Sequence, residues 1–203
     1  MITIIILIST ILVSIACFGR MDLFARLAFD PFQVHTKKQY FRFLSHAMVH
    51  ADWIHLIINM LVFFSFGRYV EIRFQMLQKD GIIFSGSFFY LLLYVAGAII
   101  ASLPDYLKHR NDPGYISVGA SGAVSAVLFT SIFFSPMEKI YFYGILPMPG
   151  IVFGILYLIY SSYMSKKSTD NINHDAHFWG AVFGFLFPII IDPSLIKDFI
   201  THF

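Results

Sequence analysis

Long uninterrupted runs of apolar residues constrain this 203-residue chain more than any other feature. Each run approaches the ~20 residues that an α-helix needs to cross the hydrocarbon core of a bilayer. Six such runs are present, at about 2–18, 47–66, 82–103, 117–135, 144–164 and 173–191. The sequence therefore predicts an all-α polytopic membrane protein with six transmembrane helices.

The low content of charged residues agrees with that prediction. They make up 13% of the chain, whereas soluble domains contain about 25%. A transmembrane β-barrel would show alternating segments of about ten residues, and stretches such as Ile4–Ile8 and Phe88–Val95 do not alternate. The net charge of +2 is small and forms no basic stripe, so we expect the lipid bilayer as a partner and no nucleic acid.

We expect one domain over residues 1–203, because no linker, low-complexity tract or soluble appendage interrupts the apolar runs. The first run has no Lys or Arg before it and no A-x-A-like site after it, so we expect a retained span rather than a cleaved signal. The single cysteine, Cys17, excludes an internal disulfide. Residues 104–116 contain Pro104, Pro113 and Gly114 and predict a loop.

The longest connection, residues 19–45, mixes apolar and charged residues. This pattern predicts short amphipathic helices that lie in the membrane interface. We expect Pro31 and the polar stretch 33–39 to interrupt them.

The charge distribution leaves the orientation open. If both termini lie on one side, the loops on that side carry five Lys and Arg residues and the opposite loops carry nine. The positive-inside rule then places the termini outside. Five of those nine charges lie in residues 19–45, and they count little if this connection lies in the interface. Without them the opposite loops carry four charges and the loops on the side of the termini carry five, so the rule no longer decides the orientation.

Three groups of polar residues accompany the apolar runs, where polar side chains are costly and often functional. The first is Gly119-Ala120-Ser121-Gly122, at the start of the fourth run. The glycines leave the Ser121 hydroxyl uncovered, and the N–H groups at a helix N-terminus can stabilise an oxyanion. A helix N-cap with small-residue packing is the alternative explanation.

The second group is Ala176-His177-Phe178-Trp179-Gly180, followed by Gly184, in the sixth run. On a helix both glycines share a face with His177, one and two turns further on. Glycines four residues apart let a neighbouring helix approach closely, and we expect Gly184 to meet the fourth run near Leu128. The alternative is a histidine that only forms an interhelical hydrogen bond.

The third group enters the second run and contains His46, His50, His55 and Asn59. His55 and Asn59 share a helix face, and both can donate hydrogen bonds to a developing negative charge. Three histidines also suggest a metal site, but H-E-x-x-H is absent and no carboxylate has suitable spacing. We therefore expect no metal, and structural hydrogen bonds for His46 and His50.

Together the three groups supply a nucleophile, a base and two hydrogen-bond donors, which are the parts of an acyl-transfer site. Asp175 lies two residues from His177 and would point elsewhere on a helix. A Ser121–His177 dyad without a third member is therefore expected, and this chemistry requires no cofactor.

These motifs resemble those of the rhomboid family of intramembrane serine proteases. The resemblance includes the motifs G-x-S-G, A-H-x-x-G-x-x-x-G and H-x(4)-H-x(3)-N and covers nearly the whole chain. The chain is similar to the minimal bacterial form of the family, which has six spans. The matching positions are Arg42, His50, His55, Asn59, Gly67, Glu71, Ser121, His177, Gly180 and Gly184.

The resemblance implies a rhomboid-like bundle of six helices with an interfacial first loop. Ser121 would be the nucleophile and His177 its base. An oxyanion hole would consist of His55, Asn59 and the Ser121 N–H. The supporting residues would be Gly119, Gly122, His50, Gly180 and Gly184.

The activity implied is that of a serine endopeptidase that cleaves peptide bonds in or near transmembrane segments of membrane-protein substrates, without a metal or cofactor. The implied location is a bacterial cytoplasmic membrane. One position departs from the family: many rhomboids carry a tyrosine four residues after the serine, where this chain has Ser125. The family tyrosine stacks on the histidine, and here the imidazole is either held less firmly or packed by another aromatic ring such as Phe178.

Two other functions deserve comparison. A non-catalytic rhomboid-like protein that binds membrane clients would, by the same resemblance, lack the serine or the histidine, and both are present. A proton-coupled transporter would carry acidic residues deep within spans or a repeated second half. Asp52 and Asp175 lie near span ends, and no repeat is visible.

Overall fold

The computed structural model describes residues 1–142, 145–167 and 172–203. Helices dominate this part of the chain, with one short hairpin and a 3-10 turn at His46–Met48. The helices are α1 (Ile2–Phe18), α2 (Met21–Leu27), α3 (Pro31–Lys37), α4 (Arg42–Ser45), α5 (Trp53–Lys79), α6 (Gly86–His109), α7 (Ser121–Phe134), α8 (Gly150–Lys167), α9 (His174–Ile191) and α10 (Leu195–Ile200). The strands are β1 (Lys139–Phe142) and β2 (Leu146–Pro149).

Within the described residues, three helices are long and apolar enough to cross a bilayer, namely α5, α6 and α9. The apolar helices α1 and α7 are shorter, with 17 and 14 residues. Helix α8 has 18 residues and ends in Lys166 and Lys167. The predicted helical fold class is therefore confirmed, and the lengths directly support three of the six predicted spans.

Helix α7 lies at the centre of the molecule, packed against α5, α6, α8 and α9. Every residue from Gly122 to Phe134 is buried. By contrast, α5 exposes large apolar side chains, including Ile54, Ile58 and Leu61. Such exposure suits contact with lipid, where helix association depends on close packing and hydrogen bonds rather than on removing apolar surface from water.

The connection between α1 and α5 contains the predicted short helices. The helices are interrupted at residues 28–30, just before Pro31, which is the first residue of α3. The expected interruption by the polar stretch 33–39 is wrong, because α3 continues to Lys37. The Asp30 side chain caps this helix by accepting a hydrogen bond from the Gln33 N–H at 2.9 Å. A proline fits the first turn because its missing N–H would have no helical partner there.

Arg42 holds this connection together from inside. Its guanidinium is buried and donates to the Gln39 Oε1 at 2.7 Å and to the carbonyl oxygens of Ala25 and Ala28. The side chain thus links α2 to α4 and satisfies carbonyl groups left at the end of α2.

The sequence predicts the second span at 47–66, whereas α5 begins at Trp53 and continues to Lys79. Two boundaries elsewhere also differ from the prediction. The predicted loop at 104–116 is wrong in its first half, because α6 continues through Pro104 to His109 and buries Asp105. The predicted span 144–164 begins too early: the apolar residues Leu146–Pro149 form β2, and α8 starts at Gly150. Prolines disfavour a helical residue before them, which explains the second difference, and residue 144 lies outside the described residues.

Candidate active site

Helices α7 and α9 touch through their backbones. A β-carbon built on Gly180 would lie 2.2 Å from the carbonyl oxygen of Gly122, and one on Gly184 would lie 2.0 Å from that of Ala126. No side chain fits at either glycine. Gly184 therefore meets Ala126, and the expected contact near Leu128 is displaced by about half a turn.

The two contacts also fix the relative direction of the helices. Gly180 faces Gly122 and Gly184 faces Ala126, so α7 and α9 run parallel with their N-termini at the same end. Ser121 is the first residue of α7, and His177 lies one turn before Gly180. The structure thereby brings the segments that carry Ser121 and His177 together.

The loop before Ser121 is held by the first connection. Ser117 exchanges two backbone hydrogen bonds with Phe29, both of 2.9 Å. Gly119 donates its N–H to the carbonyl oxygen of His46 at 3.1 Å. Buried irregular backbone of this kind needs such partners, and they position Ser121.

His50 also supports that loop. Its ring is fully buried, its Nε2 accepts a hydrogen bond from the Ala120 N–H at 3.4 Å, and its Nδ1 lies 3.0 Å from Ser14 Oγ. Because Nε2 accepts, Nδ1 carries the proton and donates it to Ser14, whose hydroxyl in turn donates to the Met48 carbonyl at 2.9 Å. Both ring nitrogens of His50 are thus used within the protein.

His46 has a similar structural setting. Its Nδ1 lies 2.9 Å from the Arg42 carbonyl oxygen and its Nε2 lies 3.3 Å from Ser102 Oγ. Burial lowers the pKa of His46 to about 4, so the ring is neutral at pH 7. These contacts agree with the structural hydrogen bonds expected for His46 and His50.

His55 lies directly against the loop. A β-carbon on Gly119 would come within 2.6 Å of His55 Cε1 and 2.8 Å of its Nε2. Gly119 also has a φ of +123°, a conformation that other residues rarely adopt. Both facts require glycine two residues before Ser121.

Asn59 is buried on the same helix as His55. Its Nδ2 donates to the His55 carbonyl oxygen at 2.9 Å. This bond uses one of the two N–H groups of the amide, which leaves one N–H for another acceptor. Both residues lie in α5, so they share a helix face as their spacing predicts.

Tyr157 supplies an aromatic contact that the sequence did not reveal. Its ring stacks on the His177 ring with centroids 6.2 Å apart and planes at 21°, and its hydroxyl lies 2.7 Å from Ser125 Oγ. The ring of Phe178, which was the expected substitute, packs against Trp179 instead. Ser125 thus holds the tyrosine of another helix.

A small cavity of about 20 Å³ lies beside Ser121. Its polar lining includes Ser102, Asp105, Asn173 and His46. A polar cavity of this volume is large enough for one water molecule.

Comparison with known proteins places these features in a family. The family model described as "Rhomboid domain" matches residues 37–193. The chain is 28% identical over 153 residues to "RHOMBOID-like protein 12, mitochondrial" of Arabidopsis thaliana, covering 68% of this chain and 42% of that protein. It is 28% identical over 148 residues to "Putative rhomboid protease YdcA" of Bacillus subtilis (strain 168), covering 73% and 65%.

A third relative, "Rhomboid-related protein 1" of Caenorhabditis elegans, is 24% identical over 164 residues, with coverage of 77% of this chain and 41% of that protein. The chain thus matches between 41% and 65% of the length of these three relatives. The domain match extends over most of the chain and includes Ser121, His177, His55 and Asn59. The resemblance seen in the motifs is confirmed, and the chain belongs to the rhomboid family.

Proposed function

We propose that this protein is an intramembrane serine endopeptidase that cleaves peptide bonds in or beside transmembrane segments of membrane-protein substrates. The observation that carries the proposal is the backbone contact between α7 and α9, which sets Ser121 and His177 at adjoining N-terminal turns. The Bacillus subtilis relative, named as a rhomboid protease, supports the same activity.

In the proposed reaction Ser121 Oγ attacks the scissile carbonyl carbon while His177 takes the hydroxyl proton. The tetrahedral intermediate collapses, His177 returns the proton to the leaving amine, and an acyl-enzyme remains. Water then loses a proton to His177 and attacks the ester carbonyl. The second tetrahedral intermediate collapses to release the acid product while His177 returns the proton to Ser121 Oγ. The small polar cavity beside Ser121 suits storage of that water.

The oxyanion of both intermediates needs donors that are already in place. The Ser121 N–H lies in the first turn of α7, where backbone N–H groups have no helical partner. His55 lies against the loop at Gly119, and within the described residues Asn59 uses one of its two amide N–H groups, in the bond to the His55 carbonyl oxygen. We assign these three groups to the oxyanion hole.

We also propose that α1, α7 and α8 complete a six-helix membrane bundle with the three long helices, in a bacterial cytoplasmic membrane. The 14 residues of α7 extend about 21 Å, whereas the hydrocarbon core is about 30 Å thick. With its C-terminus at one boundary, α7 would place Ser121 about 9 Å below the other. The bonded loop at 117–120 fits this depth, since irregular backbone is tolerated there only when buried in protein.

A fluorophosphonate probe tests the proposed activity on the detergent-solubilised protein. We expect one covalent adduct, located on Ser121 by peptide mass spectrometry, and none after heat denaturation. A folded protein that neither reacts with the probe nor cleaves a transmembrane test substrate would contradict the proposal.

Removal of the Asn59 amide tests the oxyanion assignment. Asn59→Ala should lower kcat by up to about 10²-fold, because His55 and the Ser121 N–H still share the charge. KM should change little, since the donor acts on charge that develops after binding. The matched control is Ser65→Ala on the same helix, whose hydroxyl bonds only the Leu61 carbonyl in the described contacts. Wild-type kcat in Asn59→Ala would exclude Asn59 from the oxyanion hole.

Tyr157 tests how the base is held. Tyr157→Leu should lower kcat by about 10-fold or more, because displacement of a catalytic base by ~1 Å can cost about 10²-fold. Tyr157→Phe keeps the ring and should lose far less. Tyr163→Leu, at an exposed tyrosine of the same helix, is the control. Equal kcat in Tyr157→Leu and wild type would show that the ring does not hold His177.

A further inference from the structure

A buried acidic side chain outside the proposed dyad lines the same cavity as Ser121. Asp105 on α6 is 3% exposed. Its Oδ2 accepts a hydrogen bond from Asn173 Nδ2 and another, at 3.5 Å, from Ser117 Oγ. Since a buried carboxylate is costly unless hydrogen-bonded, these donors account for its presence.

Ser117 and Asn173 belong to the two segments that carry the proposed dyad, and Tyr115, which also hydrogen-bonds Asp105, lies in the same loop as Ser117. Ser117 lies four residues before Ser121, in the loop that leads into α7. Asn173 lies four residues before His177 and is the N-cap of α9. One carboxylate therefore joins the approach to the nucleophile with the approach to the base.

Asn173 is itself fixed to the first turn of α9. Its Oδ1 accepts a hydrogen bond from the Ala176 N–H at 2.9 Å, and its carbonyl oxygen accepts one from the His177 N–H at 3.2 Å. Any movement of Asn173 would therefore move the backbone of His177. The bond from Asn173 to Asp105 transmits the position of α6 to that turn.

The glycine contacts alone leave this turn less constrained. Gly180 and Gly184 hold α9 against α7 one turn or more below His177. The first turn of α9 lies beyond them, at the N-terminal end of the helix. Besides the Tyr157 ring stacked on His177, the bond from Asn173 to Asp105 is a contact that can restrain this end of α9.

We propose that Asp105 is a positioning residue. By accepting hydrogen bonds from Asn173 and Ser117, it fixes the first turn of α9 against the loop before α7 and so sets His177 relative to Ser121. Asp105 acts through Asn173, and the inference rests on the proposed protease function.

Exchanging the two side chains tests this role. Asn173→Asp keeps an oxygen to cap Ala176 but sets two carboxylates against each other. At a temperature where the variant is folded, we expect the rate of fluorophosphonate labelling and kcat to fall by about 10- to 10²-fold. Tm should fall as well, because buried Asp105 loses a donor and faces a second carboxylate. The double variant Asp105→Asn/Asn173→Asp restores one donor and one acceptor in reverse, and should recover to within a few-fold of wild type.

Asn173→Ser provides a second test that does not introduce charge. Serine is a favourable N-cap, but its side chain is too short to reach Asp105. It should fold and show the same loss of labelling as Asn173→Asp. If the double variant labels faster than Asn173→Asp at a temperature where both are folded, the bond between the two side chains controls the labelling rate, because residues that do not interact would show additive losses.

The outcomes separate the inference from the proposed function. An Asn173→Ser protein that labels at the wild-type rate would overturn the inference, as would a double variant no faster than Asn173→Asp. In both cases, labelling of the wild-type protein would still support the proposed protease function. A folded wild-type protein that does not label would overturn the proposed function and this inference with it.

Discussion

Ser121→Ala and His177→Ala are each expected to abolish cleavage of a transmembrane test substrate, with residual kcat below about 10⁻⁴ of wild type. The loss is this large because nucleophile and base act as one unit, so that removal of either disables both. Ser121 is the first helical residue of α7, after the N-cap Ala120, and alanine favours a helix more than serine does, so Ser121→Ala should leave Tm nearly unchanged. The measurement is kcat on purified protein together with Tm of each variant.

Probe labelling separates the two roles. Ser121→Ala should lose the fluorophosphonate adduct altogether, because the bond-forming oxygen is gone. The matched control is Ser131→Ala, a buried serine of the same helix whose hydroxyl bonds the Leu128 carbonyl. An adduct that persists in Ser121→Ala would assign the nucleophile to another residue.

Motifs confined to one helix could be predicted from the sequence, because their geometry follows from the helical repeat. Gly180 and Gly184 stand four residues apart, and the structure places both against α7. His55 and Asn59 likewise share a turn of α5, where the amide of one bonds the carbonyl of the other. The spacing sufficed in each case to say which residues share a face.

Contacts between distant segments could not be predicted in this way. Tyr157 belongs to α8, and no spacing rule connects it to His177; the sequence showed only that Ser125 replaces a tyrosine. The position of the Tyr157 ring depends on how α8 packs against α7, where the Tyr157 hydroxyl lies 2.7 Å from Ser125 Oγ.

Asp105 was missed for a different reason. A proline such as Pro104 usually indicates the end of a helix, so the sequence predicts that Asp105 lies in a loop. In a helix bundle, neighbouring groups can satisfy the backbone that a proline leaves unpaired, and α6 continues to His109. The proline therefore concealed a buried carboxylate in α6, two residues beyond the third apolar run.

Gly184 allows a test of packing alone, because it has no side chain that could take part in proton transfer. A β-carbon there would lie 2.0 Å from the Ala126 carbonyl oxygen, 2.4 Å from its Cα and 2.5 Å from its carbonyl carbon. All three atoms are backbone, so no side-chain rotation can relieve the clash. Gly184→Ala must therefore push α7 and α9 apart, and Gly184→Val must push them further.

The surroundings make that displacement costly. Helix α7 is buried from Gly122 to Phe134, so it has little free space to move into. Thr130 Oγ1 donates to the Gly184 carbonyl oxygen at 2.6 Å, and separation of the helices would break this bond. Overpacking of this kind typically costs about 1–3 kcal/mol of stability.

The expected effect on activity exceeds the effect on stability. A shift of ~1 Å between base and nucleophile can lower the rate by about 10²-fold, so Gly184→Ala should lose about that factor in kcat and Gly184→Val should be nearly inactive. The matched control is Gly154→Ala in α8, where the added β-carbon would meet only side-chain atoms at 3.4 Å or more. That variant should keep wild-type kcat.

The decisive measurement is kcat beside Tm for Gly184→Ala, Gly184→Val and Gly154→Ala. The assay temperature is one at which all three variants remain folded. Loss of kcat in the two Gly184 variants, but not in Gly154→Ala, would then show that the spacing of α7 and α9 controls the reaction while Ser121 and His177 are both present. Full activity and wild-type Tm in Gly184→Ala would mean that the backbones do not meet at Ala126. The parallel packing that brings Ser121 to His177 would then lose its main support.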